Sequence, residues 1–249
     1  MTLTGHVTKG WTLRTAPTML MGVLGTFIAA VMLRILARDR RDSPLVESVL
    51  RTWGRSWLIP AGVRLQVDGR EHLQVGQSYV IVANHQSNLD AMVHLVALGL
   101  PLRILIKREL FAVPVLGPAL RAIGMVEVDR ANPNFVAIDR VAKDVLSTGR
   151  SLLIYPEGTT SADGAVGRFK SGAFSIAVAQ GVPILPVIID GTRSVWTPGR
   201  NTIRGGKVRV IITEPISTSQ LTKADVVQLR NKVETLITSA FVNMSKASS

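Results

Sequence analysis

From Val63 onward the chain alternates between two periodicities, and this alternation limits its fold more than any other feature. Seven short apolar runs, at residues 63–67, 79–83, 103–106, 125–128, 152–155, 184–189 and 208–212, have the length and β-branched content of strands. Segments 90–98, 133–147, 172–180 and 223–243 have helical spacing instead. The last carries Val226, Leu229, Val233, Leu236 and Ala240 at steps of three and four, which makes one apolar stripe. Strands interleaved with helices predict an α/β fold, with a mixed, largely parallel sheet flanked by helices. Ligands in such folds gather at the carboxyl ends of strands. Polar clusters stand there after Val82, Val128 and Tyr155.

The first 60 residues have a different pattern. Residues 15–33 carry no charge, and as a helix they would be about 28 Å long, close to the hydrocarbon thickness of a bilayer. Pro17 suits a first helical turn, where its missing N–H costs nothing. The flank after the run (Arg34, Arg38, Arg40, Arg41) is more basic than the one before it (Lys9, Arg14). A spanning helix would therefore leave the rest of the chain on the cytoplasmic side. The basic flank comes after the apolar run, which is the wrong order for a cleavable signal peptide. A second apolar helix, at 45–59 with Trp53 and Trp57, allows the alternative that both lie in the membrane interface. Either arrangement divides the chain into membrane-associated helices (1–60) and an α/β domain (61–249). The apolar segment 109–120, with Pro114 and Pro118, fits either the core or a lipid-facing surface.

Charge and cysteine content exclude several classes. The chain has no cysteine, which removes disulfides, cysteine nucleophiles and thiolate metal sites. Residues 1–64 hold nine Lys/Arg against three acids, half of the net excess of +12. Such a surface attracts lipid headgroups and phosphorylated substrates. Nucleic acid would call for a basic patch interleaved with aromatics, or for a zinc pattern, and neither is present.

The strongest chemical signal is Ala83-Asn84-His85-Gln86-Ser87-Asn88-Leu89-Asp90. It joins a predicted strand to a predicted helix. A neutral imidazole is a suitable base near pH 7, and a carboxylate on its other nitrogen fixes the tautomer and stabilises the imidazolium. The same residues also match a capping box, Ser87 to Asp90. His94 lies four residues after Asp90 on an apolar helix, as a packed histidine would. Further on, Asp129-Arg130 ends a strand with a guanidinium suited to phosphate. Tyr155-Pro156-Glu157-Gly158-Thr159-Thr160-Ser161 offers exposed N–H groups and hydroxyls in a turn. Arg168-Phe169-Lys170-Ser171-Gly172-Ala173 then leads into a helix, whose first N–H groups favour anions.

In order, Asn-His-x-Ser-x-x-Asp, Gly-x-x-x-x-Asp-Arg, Tyr-Pro-Glu-Gly-Thr and Val-Pro-Ile-Leu-Pro-Val resemble the four blocks of the glycerophospholipid acyltransferase family, in particular its bacterial 1-acylglycerol-3-phosphate branch of the PlsC type. The resemblance runs from about Val63 to Val187. It implies His85 as general base and Asp90 as its partner. It also implies Arg130, Glu157, Gly158 and Thr159 as the glycerol-phosphate site, with Lys170 as a further candidate. The family needs no metal or other cofactor. Its co-substrate is an acyl-CoA or acyl carrier protein thioester, its acceptor a lysophospholipid, and its setting the membrane bilayer. One position departs from the family pattern: Thr160 stands where the third block usually has arginine, so the acceptor headgroup is less constrained than the reaction. Glycerol-3-phosphate or another lysolipid is the alternative acceptor. A His/Asp lipid hydrolase and a non-enzymatic basic lipid-binding protein are the remaining rivals.

Overall fold

The computed structural model describes residues 13–40, 43–129, 131, 132 and 134–248. It contains one seven-stranded sheet in the order β1-β7-β6-β2-β5-β3-β4. The strands are β1 (Val63–Asp68), β2 (Val80–Ala83), β3 (Leu102–Lys107), β4 (Val126–Val128), β5 (Ser151–Ile154), β6 (Ile184–Asp190) and β7 (Gly206–Ile212). The β6–β7 pair is antiparallel and every other neighbouring pair is parallel. Five strands therefore point their carboxyl ends the same way, and β1 and β7 run against them. The sheet is mixed and largely parallel, as the alternation predicts.

Side chains leave the sheet alternately toward two cores. Ile81 and Ala83 of β2, with Leu185, Val187 and Ile189 of β6, face a layer made by α1 (Thr15–Arg40), α2 (Pro44–Leu58), α3 (Asp90–Ala97), α4 (Arg108–Phe111) and α5 (Leu116–Ala122). Val80, Val82, Ile184 and Ile188 face α6 (Phe135–Ser147), α7 (Gly172–Gln180) and α9 (Val226–Ser248). A short α8 (Thr192–Val195) comes after β6. The central strands are buried on both sides, so their sequences are continuous apolar runs rather than alternating ones. The 109–120 segment is core in part. Phe111, Ala119 and Leu120 enter the core, while Val113 and Val115 stay exposed.

Helix α1 is packed in an unusual sense. Its buried residues are Thr15, Thr18, Gly22, Ala29, Ala30, Leu33 and Ala37, mostly small, with Met19 and Leu36 partly buried beside them. Leu20, Val23, Leu24, Phe27, Ile28 and Ile35 point outward and are exposed. A helix in water buries its large apolar side chains; one in lipid places small residues at the protein contact. Residues Thr15–Ala37 are also long and apolar enough to cross a membrane. This helix associates the chain with a membrane. The small residues let α2 approach closely: a Cβ at Gly22 would fall within the Trp57 ring. Trp53 and Trp57 both donate their indole N–H to Thr26 Oγ1, at 2.8 and 3.3 Å.

Helix α2 is in turn fastened to the sheet. Arg103 of β3 is fully buried and donates from Nη1 to Glu47 Oε1 at 2.8 Å, while its other donors reach the carbonyls of Ile123 and Leu102. Ser43 caps α2 by accepting from Leu45 N–H. The core on this face runs without a break from the sheet into α2 and the inner side of α1.

Candidate active site

Strand β2 lies between β5 and β6, so the residues after these three strands converge at one end of the sheet. Asn84 sits at the end of β2 and is fully buried. Its side-chain amide donates to the Ile189 carbonyl and accepts from Ile189 N–H, both at 2.9 Å, which continues the β2–β6 ladder with a side chain. This fixes the direction in which the chain leaves β2, and His85 comes next.

His85 Nδ1 is 2.8 Å from Asp90 Oδ2. The same oxygen accepts from Gln86 N–H and Ser87 N–H, at 2.6 and 2.9 Å, and Oδ1 accepts from Thr192 Oγ1 at 2.6 Å. Asp90 is fully buried, and these four donors hold it as an acceptor. It is the first residue of α3, where negative charge is also favoured by the helix dipole. The capping box is not formed. Ser87 Oγ donates to the Trp196 carbonyl at 2.7 Å, and the aspartate reaches back to the N–H groups before it. In the neutral ring Nδ1 carries the proton it gives to Asp90, which leaves the lone pair on Nε2, and the side chain is slightly exposed.

The turn after β5 is tied directly to this pair. Glu157 Oε1 accepts from His85 N–H and Oε2 from Gly167 N–H, each at 2.7 Å. Burial pushes the Glu157 carboxyl above its ordinary range, and these two hydrogen bonds partly offset the shift. Ser161 N–H donates to the His85 carbonyl at 2.8 Å, and Lys170 N–H to the Pro156 carbonyl at 3.0 Å. Gly158 has φ +79°, which a side chain would resist, and a Cβ there would sit 2.9 Å from Lys170 Nζ. Thr159 is exposed at the tip of the turn.

The structure therefore brings His85, Asp90, Glu157, Gly158, Thr159 and Lys170 together at one end of the sheet, while Arg130 lies outside the described residues. It adds residues that the sequence did not single out. Thr192 holds the far oxygen of Asp90, and Arg193 donates to the carbonyls of Ser161 and Ala162, both at 2.7 Å, beside the same turn. Their signal in the sequence is weak: a Gly191-Thr192-Arg193 step just beyond the carboxyl end of β6. His94 is a packed histidine. It is fully buried, with Nδ1 at 2.7 Å from the Asp90 carbonyl and 3.0 Å from Tyr155 Oη. Burial lowers its pKa to about 4, against the weaker opposing pull of Asp90. Trp57 of α2 stacks on Trp196, with centroids 5.8 Å apart, so the N-terminal helices touch the residue that binds Ser87.

An imidazole with one nitrogen held by a buried carboxylate and the other open can remove a proton from an alcohol. The neighbouring turn, with its backbone N–H groups and an ammonium, suits an anionic partner for that alcohol.

Comparison with known proteins points the same way. A family model described as Acyltransferase matches residues 64–190. The chloroplastic 1-acyl-sn-glycerol-3-phosphate acyltransferase of Arabidopsis thaliana is 32% identical over 221 residues, covering 85% of this chain and 61% of that protein. The human 1-acyl-sn-glycerol-3-phosphate acyltransferase alpha is 30% identical, covering 74% of this chain and 66% of that protein. The chain thus spans about three fifths of the length of the plant relatives it matches, 61% and 58% for two of them. The crystal structure of the 1-acyl-sn-glycerophosphate acyltransferase PlsC from Thermotoga maritima superposes with a TM-score of 0.74 at 29% identity, covering 94% of this chain and 98% of that one.

Proposed function

The chain belongs to the acyltransferase family, and from that premise we propose that it moves a fatty acyl group from acyl-CoA or acyl carrier protein to the free hydroxyl of 1-acylglycerol-3-phosphate, giving phosphatidic acid. The observation that carries this reading is the His85–Asp90 pair, with Asp90 buried and His85 Nε2 left as the open base. His85 Nε2 takes the hydroxyl proton as the acceptor oxygen attacks the thioester carbonyl. The tetrahedral intermediate then collapses, the carbon–sulfur bond breaks, and the imidazolium returns the proton to the leaving thiolate. Asp90 holds the tautomer and stabilises the imidazolium while it exists.

The acceptor phosphate is assigned to Arg130 and Lys170, with the N–H and hydroxyl groups of Gly158 and Thr159. Glu157 contributes to this subsite by position. Both of its oxygens are engaged by backbone N–H groups, so it sets the distance between the turn and the base. Residues 1–60 serve as the membrane-associated part and 61–249 as the acyltransferase domain. The outward apolar face of α1 supports a site at the surface where lysolipid and acyl chain reside, and the arginines after it favour the cytoplasmic face of the cell membrane. Thr160 supports glycerol-3-phosphate or another lysolipid as the second acceptor to try. Arg193 already brings a guanidinium to that turn.

The test uses purified protein in detergent, labelled acyl-CoA, and lysophosphatidate, glycerol-3-phosphate and other lysolipids as acceptors, beside His85→Ala. Transfer to lysophosphatidate that disappears in His85→Ala is expected. Absence of transfer to every acceptor, or full activity in His85→Ala, would sink the proposal.

A further inference from the structure

Two side chains beside the base have no part in the acyl-transfer steps. The Tyr155 ring lies on the His85 imidazole, with centroids 4.0 Å apart and planes 13° from parallel. Its hydroxyl is 3.0 Å from His94 Nδ1, and that nitrogen is 2.7 Å from the Asp90 carbonyl. A carbonyl can only accept, so His94 Nδ1 carries the proton and shares it between the Asp90 carbonyl and Tyr155 Oη. His94 Nε2 then holds a lone pair, and it has no hydrogen-bond partner among the described residues. Burial, which lowers the His94 pKa to about 4, keeps the ring neutral. Burial, with the Asp90 charge adding to it, pushes the Tyr155 phenol well above its ordinary value, so it stays protonated.

We propose that Tyr155 and His94 are positioning residues for the base: His94 fixes the phenol, and the phenol ring holds the His85 imidazole in the plane that Asp90 requires and stabilises its imidazolium. This rests on the acyl-transfer role given to His85. One hydrogen bond at Nδ1 fixes one atom of an imidazole and leaves the ring able to rock about that bond. An aromatic face against it removes the rocking, and orientation of this kind lowers a reaction barrier. When His85 takes the proton, it becomes a cation over the electron-rich face of an aromatic ring, which is attractive. Among the described residues, four titratable groups face His85: Asp90 and His94 from α3, and Tyr155 and Glu157 from the segment after β5. Asp90 meets the ring at Nδ1 and Glu157 meets the backbone N–H; Tyr155 covers the ring's face.

The test measures kcat and KM across pH, in one detergent, for the parent, His85→Ala, Tyr155→Leu, Tyr155→Phe, His94→Leu and His94→Asn, with thermal melts to confirm folding. Tyr155→Leu is expected to lower kcat about 5- to 30-fold, the range of a partly desolvated cation–aromatic contact. Its KM for the acceptor stays unchanged, and the acidic limb of its kcat/KM–pH profile moves to lower pH because the imidazolium has lost its support. Tyr155→Phe keeps the ring, so its limb stays in place and its loss is only about two- to threefold. His94→Leu gives a similar loss, and His94→Asn, whose amide N–H reaches the same oxygens, recovers it. A folded Tyr155→Leu with kcat within about twofold of the parent and an unmoved limb would overturn the proposal, as would an effect confined to KM. Should Tyr155→Leu fail to fold, the His94 variants decide: rescue by asparagine supports the proposal, and equal activity of His94→Leu and the parent overturns it. An inactive parent overturns the acyl-transfer reading, and this inference with it. An active parent silenced by His85→Ala but indifferent to Tyr155→Leu overturns this inference alone.

Discussion

Replacing Asp90 by asparagine isolates the charge beside the base from the geometry that holds it. Oδ2 of Asp90 accepts from three donors: His85 Nδ1–H, Gln86 N–H and Ser87 N–H. An asparagine must therefore place its oxygen there. Its NH2 then faces Thr192 Oγ1, which can rotate to accept instead of donate. The tautomer of His85 is preserved, and only the negative charge is lost. Opposite charges about 3 Å apart attract by roughly 5 kcal/mol at an effective dielectric of about 20. The amide oxygen retains part of that through its dipole, which leaves a net loss of about 3 kcal/mol in the transition state, or about 150-fold in kcat. Asp90 is fully buried and does not reach solvent, so KM for both substrates should stay within about twofold. The assay is steady-state transfer of labelled acyl groups to lysophosphatidate in detergent, with a thermal melt beside it. A kcat within about threefold of the parent, in a protein with the parent's melting temperature, would refute the role given to the carboxylate. A change confined to KM would refute it as well.

Buried groups away from the reacting atoms set two further outcomes. His94 has a folded pKa of about 4 against 6.5 in the unfolded chain, because burial disfavours its cation. The unfolded chain therefore binds a proton that the folded one does not across that window. The contribution is complete above pH 6.5 and is lost as pH falls toward 4, by about 3 kcal/mol. Denaturant unfolding at pH 7, 5.5 and 4 should show a steeper acid loss in the parent than in His94→Asn, and parallel curves would count against it. At the α2–sheet junction, Glu47→Ala leaves the Arg103 guanidinium buried without its carboxylate, though still bonded to the carbonyls of Ile123 and Leu102. A stability loss of about 3 kcal/mol is expected by denaturant unfolding, largely recovered by Glu47→Leu with Arg103→Met; a loss under about 0.5 kcal/mol would contradict it.

Legibility in the sequence depends on distance along the chain. The seven strands and the longer helices are written in local apolar patterns, and most lie within a few residues of their expected places, although α1 runs on past the apolar run to Arg40 and α9 to Ser248. His85 and Asp90 can be paired because a strand end and a helix start five residues apart leave few alternatives. The short helices α4, α5 and α8 leave no such trace: they are too brief for a period, and Pro114 and Pro118 obscure two of them. Asn84 bonding to Ile189 and Thr192 to Asp90 span more than a hundred residues. They depend on β2 lying between β5 and β6, which chain order does not give. Glu157 resembles a ligand for substrate because it stands in a polar turn. Its partners, the N–H groups of His85 and Gly167, are visible only once the turn is folded over the base.

The strand order also sets a timetable for synthesis. β1 pairs with β7, from Val63 with Gly206 to Asp68 with Ile211, so its partner is made about 140 residues later. At ribosomal rates of about 5–20 residues per second, that is a wait of roughly ten seconds. Throughout it, β1 presents a row of unsatisfied backbone groups of the kind that recruits other chains. Arg64, Gln66 and Asp68 alternate along it with Val63, Leu65 and Val67. A copy lying parallel and in register beside it would stack arginine on arginine and aspartate on aspartate, whereas an antiparallel copy would set Arg64 against Asp68. The charges on β1 thus disfavour one arrangement of nascent copies, the parallel in-register one, until β7 arrives.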